Sequence, residues 1–345
     1  MYFRNMMNEK NIEQLQSILS APKKISIIPH RNPDGDAIGS TLGLYHVLKA
    51  LGHDPYVISP NDFPHFLAWM PGTQDIVIFD RKRDYATQLL ASSDYIFTLD
   101  FNILLRTGDD MEKVLEKMKA PFVMIDHHQM PGNYAELTFS NPEFGSTCEL
   151  LYTLFQKLNL TDKISKEAAT CIYTGIVTDS GSFRFPKTNA NTHRVIADLI
   201  DKGIDNPSIH NALFDNSNYN RLQLLGRALQ NMVLIPEHNT SYIFLKDEEL
   251  NEFQHQKGDT DGFVNYGLSI KGIDLTFFFI ERKDEGIVKI SLRSQGNMDV
   301  NLLARKYFEG GGHVNAAGGK STIPLEDTIT RFIDIIKKHK NEFYV

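Results

Sequence analysis

Apolar runs of strand length alternate with amphipathic stretches of helix length through the first half of this chain, the pattern of a parallel α/β sheet. Residues 24–29 (KISIIP) read as a buried strand. Residues 37–51 then read as a helix, with Ile38, Leu42, Tyr45 and Leu48 at helical spacing and Gly52 as its stop. Two short strands follow at 55–59 and 75–79, and 95–99 (YIFTL) and 122–125 (FVMI) complete a set of five. A helix over about 109–119 separates the last two, and 149–158 and 165–177 are also helical.

Beyond residue 190 the pattern changes. From 191 to 234 the chain is polar and helical with few strand signals, and it contains Asn206-Pro207 and the hydrophilic run 215–220. Antiparallel strands are expected after Ser241, where 275–281 and 286–293 flank a hairpin signal at 282–285. A helix over 300–308 runs into Gly310-Gly311-Gly312-His313. A length of 345 residues suits two domains better than one. The expected fold is α/β: an N-terminal parallel-sheet domain over 1–190, a helical linker over 191–234, and a smaller C-terminal α/β domain over 235–345.

Composition then narrows the function. With 41% hydrophobic and 23% charged residues, the chain is ordinary for a globular protein. It has no apolar run of about 18 residues, the length that would suggest a membrane helix. Residues 1–10 are polar and mixed in charge, unlike a secretory signal. Cys148 and Cys171 are the only cysteines; they read as buried thiols, with a reducing cytoplasm as the expected location. A formal net charge of −7 argues against a surface that coats long nucleic acid. Stable binding to duplex DNA is therefore not expected, and any nucleic-acid substrate should be short and held locally.

Chemistry concentrates at four places in the first domain. His30-Arg31-Asn32-Pro33-Asp34-Gly35-Asp36 follows the first strand, and its turn residues can fold His30, Asp34 and Asp36 into one small volume. Asp100 ends YIFTL, Asp126-His127-His128 ends FVMI, and Asp179 closes an apolar helical stretch. Parallel sheets bind ligands at the carboxyl ends of their strands, where three of these groups fall. A single Asp there is equally a helix cap, as Asp34 illustrates; the whole set is not explained that way. Oxygen-rich donors with imidazoles and no cysteine suit Mn²⁺ or Mg²⁺ better than a structural zinc.

HRNPDGD, Asp100, DHH and the TDSGSF that starts at Thr178 resemble the motifs of the DHH phosphoesterase family. The GGGH at 310–313, with Asn315-Ala316-Ala317-Gly318 behind it, resembles the companion DHHA1 domain. Motif order and chain size are most similar to the bifunctional oligoribonuclease and PAP phosphatase branch. The resemblance implies two divalent cations, Mn²⁺ or alternatively Mg²⁺. One is held by His30, Asp34 and Asp100, the other by Asp36, Asp100, His127 and Asp179, with Asp100 shared. It further implies that His128 faces the scissile phosphate, that Asp126 orients its neighbours, and that Gly310, Gly311, Gly312 and His313 contact the substrate. Arg293 is a candidate phosphate clamp, with a solvated strand-end arginine as the alternative, and Arg184, close behind Asp179, is a second candidate.

The implied substrates are short single-stranded RNA or a nucleoside bisphosphate, with no membrane partner; a homodimer is left open. Competing readings are a pyrophosphatase or exopolyphosphatase, a RecJ-like single-strand exonuclease, and a non-catalytic nucleotide-binding module. Trp69, His46 and His53 read as packing or surface groups, and Phe277-Phe278-Phe279 as strand core. Base stacking by Phe183 or Tyr266 stays open.

Overall fold

The computed structural model describes residues 9–344, so the polar N-terminal reading at 1–8 and Val345 lie outside the described residues. The chain divides into two units, Met1–Asn216 and Ser217–Val345. The division falls inside the stretch that the sequence assigns to a helical linker.

The first unit contains strands β1 (Lys24–Ile28), β2 (Asp54–Ser59), β3 (Val77–Ile78), β4 (Tyr95–Leu99), β5 (Phe122–Asp126) and β6 (Leu137–Ser140). Its helices are α1 (Glu9–Ile18), α2 (Gly35–Ala50), α3 (Arg83–Ala91), α4 (Asp109–Leu115), α5 (Thr147–Lys157), α6 (Lys166–Asp179), α7 (Ala190–Asp201) and α8 (Asn206–Phe214). The strands form one sheet in the order β3-β2-β1-β4-β5-β6, with every pairing parallel. The sheet has one strand more than the sequence pattern indicates, because β6 is a four-residue edge strand that carries no long apolar run.

The strand runs are apolar throughout because the sheet is covered on both faces. Ile25, Ile27, Phe97, Leu99, Val123 and Ile125 face a core shared with α2, α5, α6 and α7. Ile28, Ile96 and Phe122 face a second cluster with α3 and α4. Each fully buried side chain of this size contributes about 1.5–3 kcal/mol. The strand order reverses between β1 and β4, so the connections after them leave toward opposite faces and open a crevice at their carboxyl ends.

Helix α2 packs on α6 through glycines at every fourth position, a spacing that places them on one helix face. A Cβ at Gly35 would sit 2.3 Å from Thr178 Oγ1, and one at Gly39 would sit 2.6 Å from the Cys171 carbonyl oxygen. At Gly43 it would meet Ile172 Cγ1 at 2.6 Å. This close antiparallel approach brings the first turn of α2 beside the last turn of α6, where Asp36 and Asp179 stand.

The polar stretch after residue 190, read as a helical linker, contributes side chains to the core of each unit. Val195, Ile196, Leu199, Ile204 and Ile209 belong to the first unit's core. The second unit begins with α9 (Tyr219–Gln230), whose Leu224 and Ala228 pack into a second-unit cluster.

That unit then carries β7 (Val233–Ile235), β8 (Thr240–Leu245), α10 (Asp247–Glu252), α11 (Asn265–Leu268), β9 (Leu275–Arg282), β10 (Ile287–Ser294), α12 (Val300–Tyr307), β11 (Gly311–Gly312), β12 (Ala316–Ser321) and α13 (Leu325–His339). Its sheet runs β11-β12-β10-β9-β8-β7. The expected hairpin is β9–β10, but β8 and β9 pair in parallel, since the segment between them holds α10 and α11 and is long enough for a crossover. Phe277, Phe278 and Phe279 are all buried, as strand core requires. Cys148 and Cys171 are free, buried thiols. Among the described residues no helix is long and apolar enough to cross a membrane.

Candidate metal centre

Chain reversals at the carboxyl edge of the first sheet gather the motif residues. His30 follows β1, and Asp34 N-caps α2 by accepting from the amides of Asp36 and Ala37 at 3.1 and 3.0 Å. Cap and candidate ligand are thus the same residue. Asp100, after β4, sits at a left-handed φ of 67°, a conformation that few side chains other than Asn and Asp adopt readily. Asp126 ends β5, His127 and His128 follow it, and Asp179 ends α6.

Asp100 is central to the arrangement. Its Oδ2 lies 3.4 Å from His30 Nε2, which is also 3.9 Å from Asp34 Oδ1. Its Oδ1 lies 3.4 Å from His127 Nε2, which is 3.7 Å from Asp36 Oδ2 and 3.5 Å from Asp179 Oδ2. One carboxylate therefore presents its two oxygens to two separate donor groups. His30, Asp34 and Asp100 form one set of donors close enough to share a cation, and Asp36, Asp100 and His127 form another. His30, Asp36, Asp100 and His127 are buried, whereas the Asp34 side chain is 60% exposed, so that side of the centre opens to solvent.

The histidine tautomers follow from the hydrogen bonds. His30 Nδ1 is 2.9 Å from the Arg31 carbonyl, and His127 Nδ1 is 3.2 Å from the Phe144 carbonyl. A carbonyl only accepts, so each Nδ1 carries the proton, and a neutral ring turns the Nε2 lone pair toward the carboxylates. Burial favours the neutral form, lowering the pKa of His30 and bringing His127 to about 3, with His128 adding to the latter. Burial also pushes Asp36 and Asp100 well above the usual carboxylate range, and neighbouring acids push the same way. Lone pairs and carboxylate oxygens meeting at 3.4–3.9 Å lie beyond ordinary hydrogen-bond distance. Such a donor set fits divalent cations with oxygen and imidazole ligands.

His128 borders these two donor sets: its Nδ1 is 3.8 Å from Asp100 Oδ1, and with Asp100 and Asp126 it forms a further group close enough to share a cation. Its Nδ1 is 2.7 Å from Asp126 Oδ1, and its ring meets His127 edge to face at 5.0 Å between centroids. Burial alone would raise the Asp126 carboxyl, but the charge and hydrogen bond of His128 hold it below its usual range. The pair fixes the ring so that Nε2 lies on the side away from Asp126.

Several contributors have no place in the sequence motifs. Thr147 and Cys148, in the first turn of α5, hold Asp36 and Asp100 through hydrogen bonds. The available signal was Ser146-Thr147-Cys148-Glu149 ahead of an apolar run, a helix-start pattern. Lys187 donates to the Pro142 carbonyl at 2.6 Å and interacts electrostatically with Asp179 and His127. Arg106, on the turn after β4, acts on His30 in the same way. Arg184 is exposed on the turn after α6, with its Nε donating to the Gly181 carbonyl at 2.7 Å.

The remaining candidates lie in the second unit. Gly311 and Gly312 form a short strand opposite Gly318 and Ala317, so the glycine run is not an open loop. The Gly312 amide donates to Asn301 Oδ1 and the His313 amide to the Ala316 carbonyl. A Cβ at Gly310 would sit 2.0 Å from the Gly318 carbonyl oxygen, so close backbone packing accounts for that glycine. Arg293 pairs with Ala316 in the sheet register, which puts it at the same end as His313, and it donates to the Leu292 carbonyl at 2.9 Å.

Residues 24–176 match the DHH family, N-terminal domain, and residues 240–342 match the DHHA1 domain. The chain is 30% identical over 316 residues to the bifunctional oligoribonuclease and PAP phosphatase NrnA of Thermus thermophilus, spanning 91% of this chain and 89% of that protein. An exopolyphosphatase-related protein from Bacteroides fragilis has a crystal structure that superposes with a TM-score of 0.92 at 39% identity, covering 98% of this chain and 99% of that one. RecJ of Thermus thermophilus, solved in complex with Mn²⁺, shares the fold at a TM-score of 0.55 and 16% identity, covering 98% of this chain and 56% of RecJ.

Proposed function

Because this chain belongs to the DHH/DHHA1 phosphoesterase family, we propose that it hydrolyses phosphate esters of short nucleotides, either short oligoribonucleotides or 3′-phosphoadenosine 5′-phosphate, with two Mn²⁺-type ions. The carrying observation is Asp100, whose two oxygens face His30 and His127 separately. His30, Asp34 and Asp100 would hold one ion, and Asp36, Asp100, His127 and Asp179 the other. When bound, such ions neutralise phosphate charge and supply a water acidic enough to attack.

The protein's own part begins with orientation. The carbonyls of Arg31 and Phe144 lock His30 and His127 in the tautomer that offers Nε2. Asp126 takes the Nδ1 side of His128, leaving the opposite edge of that ring for the scissile phosphate. Arg184 in the first unit, and Arg293, Gly310, Gly311, Gly312 and His313 in the second, are the substrate-holding residues of this reading. The net charge of −7 favours short substrates, since an acidic protein lacks the broad cationic surface that long strands require. The names of the NrnA relatives support the same substrate class.

The test is a Mn²⁺-dependent assay on four substrates side by side: 3′-phosphoadenosine 5′-phosphate, a diribonucleotide, pyrophosphate and polyphosphate. Faster turnover of the first two is expected. Preference for pyrophosphate or polyphosphate would replace the nucleotide reading, and hydrolysis of none of them would favour a binding module.

A further inference from the structure

The first turn of α5 accounts for all of its amides in an unusual way. Early amides of a helix have no carbonyl partner within it and commonly take a side chain or water. Here Ser146 Oγ accepts only from the Glu149 amide, at 3.0 Å. The Thr147 amide instead donates to Asp36 Oδ2 at 2.6 Å, and the Cys148 amide donates to Asp36 Oδ1 at 2.9 Å. The acceptor is a carboxylate 111 residues earlier in the chain, on a different helix. The hydroxyl of Thr147 then donates to Asp100 Oδ1 at 2.8 Å. One residue thereby ties together acids carried by α2 and by the end of β4.

Burial gives these bonds their importance. Thr147 is 0% exposed, Asp36 1% and Asp100 2%, so water does not replace a lost donor readily. The two carboxylates repel each other in a medium that screens them weakly. The N-terminal end of α5 supplies partial positive charge to Asp36, which offsets that repulsion in part. The Thr147 hydroxyl selects the orientation of Asp100 as well. It engages Oδ1, the oxygen that faces His127, and so leaves Oδ2 facing His30. Rotation of that carboxylate would forfeit the hydrogen bond and disturb both donor sets together.

We propose that Thr147 is a positioning residue of the metal centre: its amide and hydroxyl hold Asp36 and Asp100 in the arrangement that binds the ions. The proposal rests on the two-metal reading. It extends that reading to a residue outside both donor sets.

The experiment compares Thr147→Val with Thr147→Ser by calorimetric titration of Mn²⁺ into the chelator-treated protein, with bound metal counted by elemental analysis. Valine keeps the shape and the amide but removes the hydroxyl, whereas serine keeps both donors. Outer-shell partners of metal ligands are typically worth about 10–100-fold in affinity. The valine variant should therefore bind Mn²⁺ at least tenfold more weakly, and the serine variant should stay within a few fold of the parent. Circular dichroism and thermal melting of the metal-free proteins establish that each variant folds. If the parent protein binds no Mn²⁺, the metal-centre reading itself fails. Two ions in the parent and unchanged affinity in Thr147→Val would overturn the role of Thr147 alone. Should the valine variant not fold, Thr147→Ser is set against Thr147→Ala, and equal weakening in both also overturns the proposal.

Discussion

Replacing Gly39 with alanine tests whether the spacing of α2 and α6 sets the metal centre. A Cβ there would lie 2.6 Å from the Cys171 carbonyl oxygen, 3.0 Å from the Gly175 nitrogen and 3.1 Å from Cys148 Sγ, whereas ordinary contact begins at 3.4 Å. The nearest obstacles are backbone atoms of a buried helix, so no rotamer change clears them. The helices must separate by about 0.8 Å, and overpacking of this kind costs roughly 1–3 kcal/mol. Alanine regains about 1 kcal/mol of helix propensity over glycine. The expected net loss is about 0–2 kcal/mol, which lowers Tm by up to several degrees for a domain of this size, at about 2–4 °C per kcal/mol.

Two controls bracket that change. At Gly43 the nearest atom is Ile172 Cγ1 at 2.6 Å, on a buried β-branched side chain held near one helical rotamer, so Gly43→Ala should also destabilise, but about two turns away from Asp36. At Gly226, inside α9, a Cβ meets nothing within 4 Å, and Gly226→Ala should stabilise the second unit by up to about 1 kcal/mol. The assay is thermal melting combined with Mn²⁺ titration. Only Gly39→Ala should also weaken Mn²⁺ binding, by about tenfold, because α2 carries Asp36 and α6 carries Asp179. A Gly39→Ala protein as stable as Gly226→Ala, with parental Mn²⁺ affinity, would refute the reasoning.

Asp100→Asn should lower turnover by more than the roughly 10–100-fold typical of outer-shell losses and reduce bound Mn²⁺, with the metal-free melting curve retained; near-normal turnover with full metal content contradicts a shared carboxylate. Removing metal should destabilise the protein more at pH 8 than at pH 5.5. Burial raises the folded-state pKa of Asp36 and Asp100 well above the ordinary value, so the metal-free folded state holds protons that the unfolded state releases. Its stability therefore falls as pH rises through that window, and bound cations remove the penalty by pairing with the ionised acids. Melting with and without chelator at both pH values measures this, and a gap that narrows with pH has the wrong sign. His313→Ala should lose more activity on a diribonucleotide than on bis(p-nitrophenyl) phosphate, as steady-state rates would reveal; equal losses would place His313 in the chemical step.

Much of this protein is legible in one dimension wherever the determinant is local. YIFTL is a strand with the bounds read from the sequence, because a short run of aromatic, aliphatic and β-branched residues bracketed by polar ones has few other ways to be buried. The motif acids and histidines are visible because strand ends place them at one sheet edge. Other features lacked such a signal. Strand β6 is four residues long and held by a neighbouring strand, and the parallel pairing of β8 with β9 depends on where the intervening helices pack. The Gly310–His313 run carries no strand signal, yet Gly310 and Gly312 are required by backbones that approach closely across a hairpin.

The sequence by itself determined the α/β class, the donor types and their place at strand and helix ends, since hydrophobic period and local turn chemistry act over a few residues. Only the tertiary structure decided that Asp100 divides its oxygens between His30 and His127, and that glycines spaced four apart let α2 and α6 close on each other. It alone brought Thr147 to Asp36 and Asp100. Those facts depend on which distant segments meet and at what angle, which follows from packing over the whole sheet and from burial that leaves each polar atom few partners to choose among.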